Sequence, residues 1–358
     1  MGYYLVGYNL MYPLGDWAVD GVLSNLFPAI AVMEAVGVTA DGADDISYAS
    51  TASDYFFQLM FCAATASIVS GTVAERIKLW PFLLFTLILT AFIYPFQASW
   101  KWGGGFLDAL GFLDFAGSSV VHSVGGYAAL AGAIVLGARH GKYKADGSVS
   151  PMPGANLPLA TLGTFILWLG WFGFNGGSQL AMGTVGDVAD VSRIFANTNA
   201  AAAGGAISAL ILTQIVYKKV DLTMVLNGAL AGLVSITAEP LTPGLGVATL
   251  IGGVGGVIVV FAVPMLDKFK IDDVVGAIPV HLIAGIWGTL AVVITNPDAT
   301  LMAQLTGIVV IGLFTFIVSL IVWMILAKTM GIRVSEEAEM AGLDNSELGM
   351  DSYPEFSR

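Results

Sequence analysis

Long apolar runs separated by short polar stretches make up most of the 358-residue chain. A run of about 20 apolar residues is long enough to cross a bilayer as a helix. We predict an all-α polytopic membrane protein with a transmembrane region over residues 1–327, followed by a polar, acidic tail over 328–358. The ten predicted spans, of which the first is too short for a full crossing, are about 2–14, 54–76, 78–100, 115–138, 156–177, 194–217, 221–240, 243–266, 274–295 and 300–327.

The composition supports a membrane protein and argues against several other classes of function. The chain is 56% hydrophobic and 11% charged, outside the usual range of soluble domains. A net charge of −12 argues against a nucleic-acid surface. The single cysteine, Cys62, allows no internal disulfide. The sequence contains no nucleophile–base pair and no phosphate-binding loop, so we expect neither an enzyme nor a bound cofactor.

Orientation follows from the positive residues. Twelve of the fourteen Lys and Arg residues fall on one side of the predicted spans, and only Lys101 and Arg193 fall on the other. By the positive-inside rule, the first side and the C-terminal tail are predicted to be cytoplasmic. The acidic loop 15–53 is then outside.

One motif occurs twice. Asp114 and His122 are followed by Gly126, and Asp273 and His281 are followed by Gly285 at the same spacing. The two histidines lie five predicted spans apart, so their helices are antiparallel and the repeat is inverted, as in many transporters. A five-span unit ending in the histidine helix fits residues 156–295. The first half has four spans, which predicts that one helix is missing before residue 1.

A histidine inside an apolar span usually marks a pathway. A lone imidazole could merely hydrogen-bond a neighbouring helix, but two related by an inverted repeat indicate one site near the midplane. Two neutral rings can share a proton and present a lone pair to a small substrate with N–H donors. Two histidines without an intramembrane Cys, Asp or Glu do not make a zinc site, so no metal is expected.

The acids and aromatics each leave two interpretations open. Asp114 and Asp273 begin their helices and could simply cap them, since Asp is favoured there; Asp114 could also influence a cation arriving from outside. The aromatic residues and a nearby serine form the second set: Phe57, Phe61, Trp102, Trp171, Phe174 and Ser178. They are either an interfacial aromatic belt or a cation–π site with a hydroxyl acceptor above a hydrophobic constriction.

With these residues assembled, the chain resembles the ammonium transporter (Amt) family. The motifs that carry the resemblance are Ala74-Glu-Arg-Ile77, Trp102-Gly-Gly-Gly105, Asp114-Phe-Ala-Gly117 with His122, Gly170-Trp-Phe-Gly-Phe-Asn175 with Ser178, and Asp272-Asp273 with His281. Trp102 and Ser178 favour the Amt branch over the related Rhesus proteins. Residues 3–14 resemble the second half of the family's second helix, and the first-helix signature is absent.

The resemblance implies an eleven-helix homotrimer in the cell membrane with one pore per subunit and, at its cytoplasmic face, a PII-type signalling partner. It implies that His122 and His281 are the twin pore histidines and that Phe61 and Phe174 form a gate. The remaining implied positions are an outer ammonium site at Phe61, Trp102 and Ser178 with Phe57 nearby, and supporting acids at Asp114 and Asp273.

The expected function is therefore ammonium uptake, in which the cation is recruited outside, is deprotonated, and crosses as ammonia. Three alternatives remain open from the sequence. A Rhesus-like neutral gas channel would not depend on Trp102 or Ser178. An ammonium sensor would signal through the tail with little flux, and a chain lacking its first helix could be a non-functional fragment.

Overall fold

A computed structural model describes residues 1–13, 15, 17–25, 37–38, 44–45 and 50–355. The predicted all-α membrane architecture is confirmed. A π-helical turn, Tyr3–Gly7, continues as Tyr8–Met11, and the two together form α1. The other helices are α2 (Thr51–Val73), α3 (Leu79–Ser99), α4 (Phe106–Ala109), α5 (Ser118–Leu136), α6 (Leu157–Gly177), α7 (Val185–Tyr217), α8 (Leu222–Ile236), α9 (Leu245–Lys268), α10 (Ile278–Thr295), α11 (Leu301–Thr329), α12 (Glu336–Ala341) and α13 (Leu343–Leu348).

Each predicted span contains a helix, although not every helix is long enough to cross. In the described part of the chain, eight helices reach the length and hydropathy of a membrane span: α2, α3, α5, α6, α7, α9, α10 and α11. The apolar helix α8 has only 15 residues, and α1 is shorter still. We predicted α7 from residue 194, but it begins at Val185 because Thr184 and Asp187 form a capping box.

The predicted acidic loop contains two small antiparallel sheets. One pairs β1 (Trp17–Val19) with β2 (Leu23–Ser24), and the other pairs β3 (Gly37–Val38) with β4 (Asp44–Asp45). The remaining residues between 26 and 49 lie outside the described part.

Glycines hold three helices close together. A Cβ on Gly252 of α9 would overlap the backbone carbonyl of Ala201 in α7, and a Cβ on Gly205 would overlap that of Gly228 in α8. Small residues permit backbones to approach in this way. The glycine- and alanine-rich segments 197–208 and 244–256 therefore serve helix packing.

Both histidine-bearing helices begin as π-helix. Ser118–Ser123 precedes the α-helical part of α5, and Ile278–Ile283 precedes that of α10. Single π-turns inside α-helices are uncommon and frequently occur at functional sites. They draw attention to the region where α5 and α10 meet.

Candidate functional site: a histidine pair below an aromatic column

The two repeat histidines are in contact. Their Nδ1 atoms lie 3.2 Å apart, and the ring centroids are 5.2 Å apart with an interplanar angle of 20°. For a hydrogen bond between two neutral rings, one Nδ1 must donate its proton and the other must accept it. The Nε2 atoms are then of opposite kinds, an acceptor on the donating ring and a donor on its partner. The Nε2 of His122 is buried, and no described residue hydrogen-bonds to it.

The glycine of each motif explains why the histidines can meet. A Cβ on Gly126 would lie 2.7 Å from the backbone nitrogen of Leu282, the residue after His281. A Cβ on Gly285 would lie 2.5 Å from the Ser123 Oγ, on the residue after His122. The two contacts are reciprocal, as a two-fold relation between α5 and α10 requires. They bring the helices together at the level of the imidazoles.

An aromatic column continues from the histidine pair. Trp171 stacks on His122 with centroids 4.9 Å apart and an interplanar angle of 15°, while its indole N–H donates to Thr237 Oγ1 at 2.8 Å. Phe174 lies 5.4 Å from the His122 ring, and its own ring is 4.1 Å from Phe61. Phe61 is 2% exposed. The two phenylalanine rings are therefore in contact directly between the mouth and the histidines.

Three further predicted residues surround the mouth. Phe61 meets Trp102 edge-on with centroids 5.9 Å apart, and it meets Phe57 at 4.7 Å. Ser178 ends α6 one turn after Phe174, to whose carbonyl its hydroxyl donates at 2.8 Å. Since that bond uses the only proton of the hydroxyl, the oxygen can offer only lone pairs to a ligand. The mouth thus combines ring faces with a hydrogen-bond acceptor.

Asp114 caps the π-turn of α5. Its Oδ1 accepts the backbone N–H groups of Gly117 and Ser118, at 3.1 and 2.8 Å, and its Oδ2 accepts those of Ser119 and Val120, both at 2.9 Å. Gly117 has a φ of +106°, which favours glycine at this turn. The capping interpretation therefore describes the geometry.

Asp273 does the equivalent for α10. Its carboxylate accepts the N–H of Ile278 at 2.7 Å and the hydroxyl of Thr72 in α2 at 2.9 Å. The bond to Ile278 spans five residues, as does that from Asp114 to Ser119. Asp273 is thus a capping residue on the other histidine helix, and its described contacts are apart from the aromatic mouth.

A buried ionic network, which our sequence analysis missed, joins the ends of α2 and α5 to the start of α10. The Arg76 guanidinium is fully buried and donates to four backbone carbonyls, among them Gly137 and Asp272. Asp272 also accepts two side-chain hydrogen bonds from Arg139, at 2.8 and 2.9 Å. Although burial opposes ionisation, these bonds lower the pKa of Asp272 and, with Glu75, raise the pKa of Arg139. The Ala74-Glu-Arg-Ile77 and Asp272-Asp273 motifs contain Glu75, Arg76 and Asp272, and they were the sequence features that could have indicated this network.

The start of the tail is held against the same network. The backbone N–H of Val334 donates to the carbonyl of Arg76 at 3.1 Å, and that of Lys78 donates to Ile332 at 2.9 Å. Glu339 in α12 accepts from Arg333 at 2.8 Å and from the backbone N–H of His140 at 2.6 Å. The tail is therefore attached to the loops that follow α2 and α5.

In the described part of the chain, eight membrane-length helices accompany a pair of ionisable rings in contact, of which His122 is buried and His281 is partly buried. This is the architecture of a polytopic membrane transport protein. Comparison with known proteins identifies which one. The family model described as the Ammonium Transporter Family matches residues 1–353, and the chain belongs to that family. Because this is a family of transporters, the expectation that the chain is not an enzyme is confirmed.

Relatives agree in sequence and in structure. Ammonium transporter Amt2 of Archaeoglobus fulgidus is 43% identical, and the match covers 86% of this chain and 71% of that protein. A putative ammonium transporter of Synechocystis is 40% identical over 97% of this chain and 77% of its own length. The solved structure titled Sensor Amt Protein has a TM-score of 0.85 at 36% identity, covering 97% and 86%. Candida albicans Mep2 has a TM-score of 0.80 at 28% identity, covering 94% and 76%.

Proposed function

We propose that this chain takes up ammonium by recruiting the cation at an outer site formed by Phe61, Trp102 and Ser178, with Phe57 nearby. The cation gives up a proton on entering the column, and ammonia passes His122 and His281. The observation that carries the proposal is the Nδ1–Nδ1 contact of 3.2 Å below the Phe61 and Phe174 rings, whose centroids lie 4.1 Å apart. Phe61 and Phe174 are the gate.

Desolvation is the reason for the deprotonation step. Moving an ion into a low-dielectric interior costs several kcal/mol even after relaxation, whereas neutral ammonia avoids most of that cost. In the mouth, ring faces attract the cation and the Ser178 oxygen can accept one of its N–H groups. Sodium and potassium can bind ring faces, but they have no proton to lose. Selectivity therefore arises where the column becomes apolar.

The histidine pair suits the species that follows. Ammonia has both a lone pair and N–H donors, and a coupled pair of neutral imidazoles offers one donor and one acceptor at its Nε2 positions. His122 provides such an Nε2, which is buried and without a partner among the described residues. A neutral polar molecule can be hydrogen-bonded there in passing, without a charge being stabilised.

We further propose that the protein is a homotrimer in the cell membrane with its tail in the cytoplasm. The bias of twelve Lys and Arg residues toward one side supports this orientation. A PII-type signalling protein at the cytoplasmic face is the proposed partner. The family resemblance supports the partner and the trimer.

The test is the current evoked by an ammonium pulse on proteoliposomes, with potassium as the control. We expect a saturable ammonium current from the wild type and loss of selective transport in His122→Ala and in His281→Ala. Wild-type selectivity in either variant would refute the role of that ring. A vesicle that becomes alkaline inside without a current would instead indicate neutral ammonia passage.

A further inference from the structure

A cavity lies beside the aromatic mouth. It has a volume of about 370 Å³ and lies between the outer ends of α2 and α6 and the start of α7. Its principal walls are Ser53, Asp54, Phe57, Phe172 and Phe195. Of the residues assigned above to the outer site, only Phe57 borders this cavity. The cavity is therefore outside the proposed pathway but separated from it by one ring.

Two glycines allow its aromatic walls to form. A Cβ on Gly176 would overlap the Phe195 ring, and a Cβ on Gly177 would lie 2.7 Å from Cε2 of Phe57. Both rings thus pack directly on the backbone at the end of α6. Phe172 completes the wall, with its ring centroid 5.5 Å from that of Phe195. Any larger residue at either glycine would displace a ring.

Asp54 gives the cavity its charge. It is the only charged residue among the described residues that line the cavity. The Tyr8 hydroxyl donates to its Oδ2 at 2.6 Å, which fixes the carboxylate. Arg193 lies on α7 between Val191 and Phe195 but is not part of the lining. A fixed carboxylate beside phenylalanine faces is suited to a small cation, because both attract positive charge.

We propose that this cavity is a peripheral cation subsite that holds a small monovalent ammonium-type ion between Asp54 and the Phe57 and Phe172 rings. The identity of its ligand rests on the proposed function, because the ion it collects is the transported one. Phe57 lines the cavity and also contacts Phe61 with a centroid separation of 4.7 Å. An ion held at Asp54 is thus concentrated next to the mouth.

Thiol labelling tests the subsite without relying on transport. Cys62 is buried, so Ser53→Cys supplies the one accessible thiol, on the cavity wall. We compare labelling by a trimethylammonium-bearing methanethiosulfonate and by neutral methyl methanethiosulfonate. A unit charge about 5 Å away in water predicts a roughly three- to fourfold advantage for the cationic reagent. Asp54→Asn should abolish that advantage, and methylammonium should slow labelling only when Asp54 is present.

Asp190→Asn is the matched control. Asp190 is next to Val191, which lines the cavity, but Asp190 itself does not line it. Its carboxylate accepts a hydrogen bond from the Gln179 side chain at 3.3 Å. Equal loss of the cationic advantage in this variant would mean a general surface field and would overturn the proposal.

Transport then connects the subsite to uptake. At low ionic strength we expect Asp54→Asn to raise the ammonium half-saturation concentration about threefold, and we expect high salt to remove most of the difference. A fall in maximal rate with an unchanged half-saturation would overturn the proposal in favour of a structural role. If the wild type does not transport ammonium, the proposed function is refuted. The labelling experiment still tests the subsite, because it does not depend on transport.

Discussion

Adding one methyl group at Gly126 tests whether the histidine contact depends on how closely α5 and α10 approach. The Cβ of Gly126→Ala would lie 2.6 Å from the Leu282 Cβ and 2.7 Å from its backbone nitrogen. Ordinary contact begins near 3.4 Å, so one helix must move by 3.4 − 2.6 = 0.8 Å. A shift of that size along the line between the rings would lengthen the 3.2 Å Nδ1–Nδ1 distance to about 4 Å. At that distance the two imidazoles no longer share a hydrogen bond.

Stability and transport are measured on the same preparation. Overpacking in a close-packed interior typically costs about 1–3 kcal/mol, so the melting temperature of Gly126→Ala should fall. The ammonium current should fall with it. Gly253→Ala is the matched control, because it also adds a methyl group within a helix, but the nearest atom to its Cβ is 3.8 Å away. A Gly126→Ala protein with wild-type stability and current would refute the packing argument, as would an equal defect in Gly253→Ala.

Two further predictions concern the charged residues that hold the histidine helices. Asp114→Asn keeps one acceptor oxygen and loses the other, so two of the four capped N–H groups lose their partner. Each buried unsatisfied group costs about 1–3 kcal/mol, so thermal denaturation should show that the free energy of unfolding falls by about 2–6 kcal/mol. A change within experimental error would contradict the capping role. Asp298→Asn, at an exposed aspartate, is the control. Arg139 lowers the pKa of Asp272 in the folded protein. The ionised Asp272 carboxylate therefore contributes its full stabilisation above about pH 3.9, the pKa of an Asp in the unfolded chain. That contribution is lost as the pH falls through the lower pKa of the folded state. Asp272→Asn should therefore be less stable at neutral pH, by less than the about 3–5 kcal/mol of an uncompensated buried charge, because Glu75 still pairs with Arg139. The variant should also lose less further stability on acidification; parallel pH–stability curves would contradict the assignment.

Hydrophobic runs were sufficient to place the helices, because a span must be apolar over nearly its whole length. They were insufficient at the N-terminal end of α7. There Asp187, Asp190 and Arg193 make a helical segment polar, and only the Thr184 capping box indicates that the helix begins earlier. Short-range polar bonding, rather than hydropathy, sets that boundary.

The histidine pair was predictable because a repeated spacing implies a repeated position in three dimensions. Its π-turns were not, since the hydrogen-bond register of a helix leaves no clear mark in residue type. Nor could the sequence decide whether Asp114 caps a helix or faces a cation, because Asp suits both; four N–H contacts to its oxygens show that it caps. The burial of Arg76 was missed for a related reason. In the sequence, a positive residue next to a predicted span is taken for an exposed loop residue. Only the structure shows that Arg76 donates to buried backbone carbonyls.

The π-turns make the site depend on a count of residues as well as on their identity. A π-turn contains one more residue than an α-turn, so it changes the helical phase of everything that follows it by about 100°. Ser118–Ser123 and Ile278–Ile283 each place such an offset at a histidine. Deleting a single residue from either segment would restore α-helical phase and rotate the aligned faces of α5 and α10 relative to each other. Every side chain of the site could then be present while the two rings faced different neighbours.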